Sequence, residues 1–224
     1  MQTVYYSFVP MLLASLLSIQ LVLSGAAETS RQGTATRAGM TDAHEGMTIG
    51  VDPWTQPSQY KEKFPKKSPL SGGVVALHVS FRNTSDQGIK VDLQRIRLLL
   101  VLDEENRQEL APLTAEDVAD TVLLSKENGK DPTTRRNPLP IPVGKPRPSR
   151  DANWTNLKEA CQNAGVPSSV VAARGSVEGL IYFDLRGEVQ LLKNAHLYIP
   201  NLVTMNDNHP LLYFDIDLGH SSSD

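Results

Sequence analysis

Cysteine is almost missing from this chain. Cys161 is its lone thiol in 224 residues, which excludes an internal disulfide, a cysteine-built zinc cage and a CxxC redox pair. Charge is missing from the beginning: no Asp, Glu, Lys or Arg precedes Glu28. The five histidines (His44, His78, His196, His209 and His220) never fall at HxH or HExxH spacing, so the usual zinc signatures are absent. No GxSxG marks a serine nucleophile, and no strand-helix alternation or internal repeat marks a parallel α/β sheet or a solenoid. The formal net charge of -3 argues against a general polyanion binder, and 40% hydrophobic content argues against wholesale disorder.

What is present begins with an address. Phe8 to Ala27 reads FVPMLLASLLSIQLVLSGAA, an apolar run closed by small residues. That pattern predicts a signal peptide over 1–27, cut after Ala26 or Ala27, although MQTVYYS supplies no Lys or Arg to the n-region. The alternatives are an uncleaved membrane anchor, diluted by Pro10, Ser15, Ser18 and Gln20, and a buried core helix. Lipidation is disfavoured, because Ala26 stands where the acylated Cys has to be. The expected location is therefore exported, periplasmic or extracellular, with anchoring as the alternative. Residues 28–46 are polar and aperiodic and are expected to form a flexible tether.

Two-residue periodicity dominates the rest. In Gly73–Asn83, Val75, Leu77, Val79 and Phe81 alternate with Ala76, His78, Ser80 and Arg82, which predicts a strand buried on one face. A turn cluster at Asn83–Gly88 leads to Ile89, Val91 and Leu93, and a further strand fits Met47–Val51. Ile96–Leu102 is a continuous apolar run, read as a strand covered on both faces. Asp103–Asn106 turns the chain back to Gln108–Leu110. Later strands are expected at Val177–Leu185, Ala195–Ile199 and Leu211–Leu218, the last with Leu212, Phe214, Ile216 and Leu218 facing inward.

Two helices interrupt this pattern. Thr114 is a candidate N-cap with Glu116 and Asp117 in the first turn and Val118, Val122 and Leu123 as apolar face. A second helix fits Asn153–Ala164, with Trp154, Leu157, Cys161 and Ala164 on one stripe, Gly165 as a C′ stop and Pro167 beyond. Cys161 on that stripe reads as a small buried hydrophobe rather than a nucleophile.

The strand-turn-strand VALHVSFRNTSDQGIKVDL, with GSVEGLIYFDL, AHLYIP and LLYFDIDL, resembles immunoglobulin-like sandwich domains of exported bacterial proteins of unassigned function. The resemblance rests on an early strand ending at Asn83-Thr-Ser-Asp86 and a late one carrying Gly179-Leu-Ile-Tyr-Phe183. It implies a fold class and carries over no functional residue. The expected architecture is mainly β: an immunoglobulin-like antiparallel sandwich of about seven strands over 47–219, with a helical and Pro-rich insertion at 114–165 and a tail at 220–224.

The most distinctive segment is 126–150. Lys126, Lys130, Arg135, Arg136, Lys145, Arg147 and Arg150 against Glu127 and Asp131 give it +5, and it holds six prolines. These seven cations are the candidate partner-contact residues, facing an anionic envelope component or protein. The basic stretch Tyr60–Lys67 carries two aromatics within it. Asn206–His209, with Asp215 and Asp217, offers oxygens to a hard cation but reads more simply as a turn. Asn83-Thr-Ser and Asn153-Trp-Thr match the N-glycosylation pattern without further support. No catalytic, cofactor or metal residue is assigned, nucleic acid is not an expected partner, and a membrane is met only through the N-terminal segment. The functional expectation is an exported non-enzymatic binding or accessory module. The alternatives are an envelope hydrolase near the helical insertion, with His196 or His209 beside a serine and a carboxylate, and a structural subunit joined through edge strands.

Overall fold

In the computed structural model, which describes residues 40–103, 106–124 and 150–219, alternating apolar residues build the strands of a mainly antiparallel β-sandwich. The first sheet has the order β1 (Thr41–His44), β2 (Met47–Trp54), β3 (Val74–Asn83), β8 (Ser176–Asp184). Opposite it lie two further sheets. One is three-stranded, in the order β10 (Leu202–Thr204), β4 (Ile89–Val91), β7 (Val170–Val171). The other is four-stranded, in the order β11 (Phe214–Asp217), β9 (Ala195–Ile199), β5 (Arg97–Val101), β6 (Arg107–Leu110). The described residues also hold three α-helices, α1 (Pro57–Tyr60), α2 (Ala115–Leu124) and α3 (Ala152–Ala164), and three short 3-10 helices at Pro69–Gly72, Leu93–Arg95 and Val189–Asn194.

The main core fills the space between the sheets. From the first sheet come Ile49, Val51, Val75, Leu77, Val79, Phe81, Ile181 and Phe183; Leu98, Leu100, Leu197, Ile199, Phe214 and Ile216 meet them from the four-stranded one. A second core lies on the far side of the first sheet. There Val74, Ala76, Leu180 and Tyr182 pack against Tyr60, Phe64, Val118, Val122, Trp154, Leu157 and Cys161. The molecule therefore stacks a helical layer on a β-sandwich, and β3 and β8 are apolar on both sides where the helices cover them.

Several expectations are corrected by this layering. Ala76 is buried under the helices, although the alternation placed it opposite the core face. In β5 only Leu98 and Leu100 are buried, with Leu99 and Val101 half-exposed, so Ile96–Leu102 is covered on one face. The reason is that α2 and α3 lie on the first sheet and not on this one. Leu212, read as inward, is 64% exposed, because the regular strand starts only at Phe214.

The fold also starts earlier than Met47. Thr41–His44 pairs with Met47–Gly50 through a two-residue turn in which Glu45 (φ 48°) and Gly46 (φ 78°) both take the left-handed conformation that a tight hairpin requires. The segment expected as tether thus contributes the edge strand β1, while residues 28–39 lie outside the described residues. The strand was hidden because Thr-Asp-Ala-His carries no apolar alternation; its pairing is backbone pairing, and its side chains are half-exposed or exposed.

Both longer helices form where expected, α2 behind its predicted cap Thr114 and α3 one residue earlier than Asn153, behind Asp151. Thr114 and Asp117 make a reciprocal box, Asp117 N–H donating to Thr114 Oγ1 at 3.1 Å and Thr114 N–H to Asp117 Oδ2 at 3.1 Å. In α3 the stripe Trp154, Leu157, Cys161, Ala164 is buried. Gly165 ends α3, but in an extended conformation (φ -68°, ψ 171°) rather than a left-handed one. Its role is proximity: a Cβ on Gly179 of β8 would lie 2.5 Å from the Gly165 carbonyl group, so the helix end and the strand touch backbone to backbone.

Candidate functional site

The outer edge of the helical layer is organised by two buried aromatics. Pro57 opens α1, where the Gln59 side chain accepts the Gln56 N–H at 2.8 Å. The Tyr60 hydroxyl then donates to the Trp54 carbonyl at 2.8 Å and accepts the Ala76 N–H at 2.9 Å. Burial pushes this phenol up to about 12, partly offset by the Ala76 N–H. Phe64 follows one turn later and is buried beside it, the rings 5.9 Å apart. With these two rings fixed on the sheet, Lys61, Lys63 and Lys66 are turned to solvent and Lys67 is half-buried.

Facing this segment is the N-terminal half of α3. Phe64, Pro65, Lys66, Lys67, Leu123, Asn153, Asn156, Leu157 and Ala160 enclose a cavity of about 370 Å³. Its floor is apolar, and its rim carries two ammonium groups and two carboxamides. Asp151 caps α3 by accepting the Trp154 N–H at 3.0 Å. That bond chiefly holds its carboxyl below the usual range, with smaller contributions from Asn153 and from the charge of Lys67. A neighbouring hollow of about 340 Å³ shares Asn156 and Ala160 and adds Lys63 and Glu159. A third concavity, about 530 Å³, lies towards the other end of α3, where Leu113, Gln162, Gly165 and Tyr182 line it without a charged side chain.

Of the seven cations expected to contact a partner, Lys126, Lys130, Arg135, Arg136, Lys145 and Arg147 lie outside the described residues. Arg150 is described, and it is engaged within the domain. It pairs with Glu116 of α2, and its guanidinium lies 4.5 Å from the centre of the Trp154 ring. Lys158 approaches the same ring at 5.3 Å. The helices are likewise held to the sheet by their apolar faces, so only their polar sides are available for contact.

Cys161 is buried, and burial pushes its thiol up to about 12. His196 and Asp215 meet at 3.2 Å on the exposed side of the four-stranded sheet, and neither His196 nor His209 lines the three hollows around the helical layer. Asp207 accepts from Thr204 Oγ1 and from His209 N–H, which makes Asn206–His209 a self-capped turn. Among the described residues no group of three or more His, Cys, Asp or Glu side chains is placed to hold a metal ion. No described helix is long and apolar enough to cross a membrane.

His44, expected in the tether, lies on β1 instead. It stacks on Phe214 at 3.8 Å with Asp42 and Glu45 each 3.7 Å away. Those carboxylates in turn accept the backbone N–H groups of Asp215 and Leu212. The sequon residue Asn83 is the buried polar side chain of the described residues, its amide donating to the Gln87, Val171 and Ala172 carbonyls.

No family model matches the chain, and no curated protein matches it. A solved structure, described as that of a functionally unknown protein from Listeria monocytogenes EGD-e, is similar at 14% identity and a TM-score of 0.31. The likeness covers 71% of this chain and 68% of the other, and at that score it carries no argument.

The Lys66–Lys67 rim was visible in the sequence only as a basic stretch with two aromatics. The side chains that turn it into a cavity come from α2 and α3, and no local pattern announces such a pairing.

Proposed function

We propose that this chain is an exported, non-enzymatic binding module that recognises an anionic envelope component through the exposed side of its helical layer. The observation that carries this reading is the rigid Tyr60–Lys67 segment. Residues 61–67 hold four lysines and one glutamate, and Tyr60 and Phe64 anchor them beside a cavity. Pre-fixing the segment lowers the ordering cost that a flexible basic tail meets on binding. Export is supported by the apolar, charge-free run before Glu28 with its small-residue end.

The test is co-sedimentation of the protein with vesicles containing phosphatidylglycerol, against vesicles of phosphatidylcholine alone. Binding is expected on the anionic vesicles at low salt, and it should weaken steeply as salt screens the lysines. The double variant Lys63→Glu, Lys66→Glu changes two exposed side chains and should lose most of that binding. Equal partition onto both vesicle types, or binding indifferent to the two reversals, would sink the reading.

A further inference from the structure

We propose that the cavity between Phe64–Lys67 and α3 is a binding site for a small amphiphilic anion, an acyl or aryl body ending in a carboxylate or phosphate. This ligand class rests on the anionic-partner reading above and specifies what enters the cavity.

The cavity joins two chemistries that a simple ion or a simple hydrocarbon uses only in part. Phe64 and Leu157 are buried, and Leu123, Pro65 and Ala160 extend the apolar wall from three separate segments. Convergent apolar walls with a few placed polar groups are the usual form of a small-molecule site, and about 370 Å³ falls within the size range of such sites. The polar groups gather on the rim. Lys66 and Lys67 come from the segment fixed by Phe64, while Asn153 and Asn156 come from the first turns of α3.

Asp151 sets a constraint on this site. Its carboxylate sits at the α3 N-cap, bonded to Trp154 N–H and to Asn153 Nδ2, and it already takes part of the charge of Lys67. The anionic head is therefore anchored chiefly by the Lys66 ammonium and the Asn156 carboxamide, while the body lies along Phe64, Leu157 and Ala160. A bare anion forgoes the floor, and a neutral chain leaves the rim unneutralised. A single negative head on an apolar body satisfies both.

The experiment uses the whole protein and two probes, 1-anilinonaphthalene-8-sulfonate followed by fluorescence and decanoate followed by calorimetry. Decanol and inorganic phosphate serve as the halves of the ligand. Decanoate is expected to displace the fluorescent anion from one site, with decanol and phosphate each weaker by about tenfold or more. Asn156→Trp, at an exposed helix position, fills the cavity and should abolish decanoate binding while the circular dichroism spectrum is kept. Lys66→Ser should weaken decanoate about fivefold or more and leave decanol unchanged.

Phosphatidylglycerol vesicles separate a free ligand from a lipid in its bilayer. If Asn156→Trp also lowers vesicle binding, the acyl chain of a lipid enters the same cavity. If it spares vesicle binding but abolishes decanoate, the ligand is a free amphiphile. Absence of decanoate binding, or binding untouched by Asn156→Trp, overturns the cavity assignment. When vesicle binding then still depends on Lys63 and Lys66, the anionic-partner reading stands without it; when that dependence is also absent, both fall.

Discussion

The indole N–H of Trp154 on α3 donates to the Asp120 carboxylate on α2 at 2.7 Å, and this bond ties together the two helices that cover the first sheet. Trp154 is only 7% exposed, so the indole has little access to water as a substitute acceptor. Asp120→Ala should therefore cost about 2 kcal/mol in a urea unfolding titration, within the range for a hydrogen bond to a charged partner. A change below the error of the titration would mean that packing of α3 alone holds the layer.

Asn83 closes the turn after β3 by binding three carbonyl groups from two segments, those of Gln87, Val171 and Ala172. Its Oδ1 also accepts the Ser85 N–H at 2.9 Å. Replacing it by Ala leaves these groups unpaired in a buried place, so Asn83→Ala should lower stability by about 2–3 kcal/mol. Asn83→Asp should be at least as damaging, since a carboxylate cannot donate to the three carbonyls. Thermal unfolding of the two variants side by side checks the ordering.

Alkali should destabilise the protein through groups that burial keeps neutral. Cys161 is pushed from 9.0 to about 12, and Tyr60 from 10.0 to about 12. The unfolded chain releases these protons first, so their contribution is fully present below pH 9 and is lost as pH rises from 9 towards 12. Unfolding free energy measured against pH should fall across that window, and Cys161→Ala should flatten its lower part. The native thiol should also resist alkylation at pH 8 and react promptly once urea unfolds the chain.

At the crossing of α3 and β8 there is no room for a methyl group. A Cβ at Gly179 would sit 2.5 Å from Gly165 C, Gly165 O and Val166 N, all backbone atoms that cannot swing aside. Gly179→Ala is expected to cost about 3 kcal/mol or more and to loosen the end of α3. Hydrogen exchange should then show faster exchange at Gly165, whose N–H bonds to Cys161 O at 3.0 Å. Unchanged exchange there would mean that the strand moves instead of the helix.

The alternation in Val74–Asn83 and Ser176–Asp184 made the sandwich readable, because one face of each strand had to meet the opposing sheet. The helical stripe from Trp154 to Ala164 and the Thr114 cap were equally explicit, since their spacing is local. Which sheet the helices cover was not legible. Ala76 and Tyr182 give a helix-facing surface that a two-residue count assigns to solvent, and Leu99 and Val101 looked buried merely for being apolar. The strand Thr41–His44 escaped because its hold on the fold is the backbone ladder to β2 and the clasp of Asp42 on β11 and of Glu45 on Leu212 just before it. The cavity escaped for a related reason: Lys66 and Asn156 lie far apart in the chain, and only packing joins them.

That clasp has a consequence for how the domain can be handled. Asp42 holds the Asp215 N–H, and Glu45 holds the Leu212 N–H, so the strand that begins the described fold lies against the strand that ends it. Neighbouring ends make a domain easy to graft into a host loop or to permute. A short linker joining Gly219 to Met40, with new ends opened elsewhere, should give a protein that still folds.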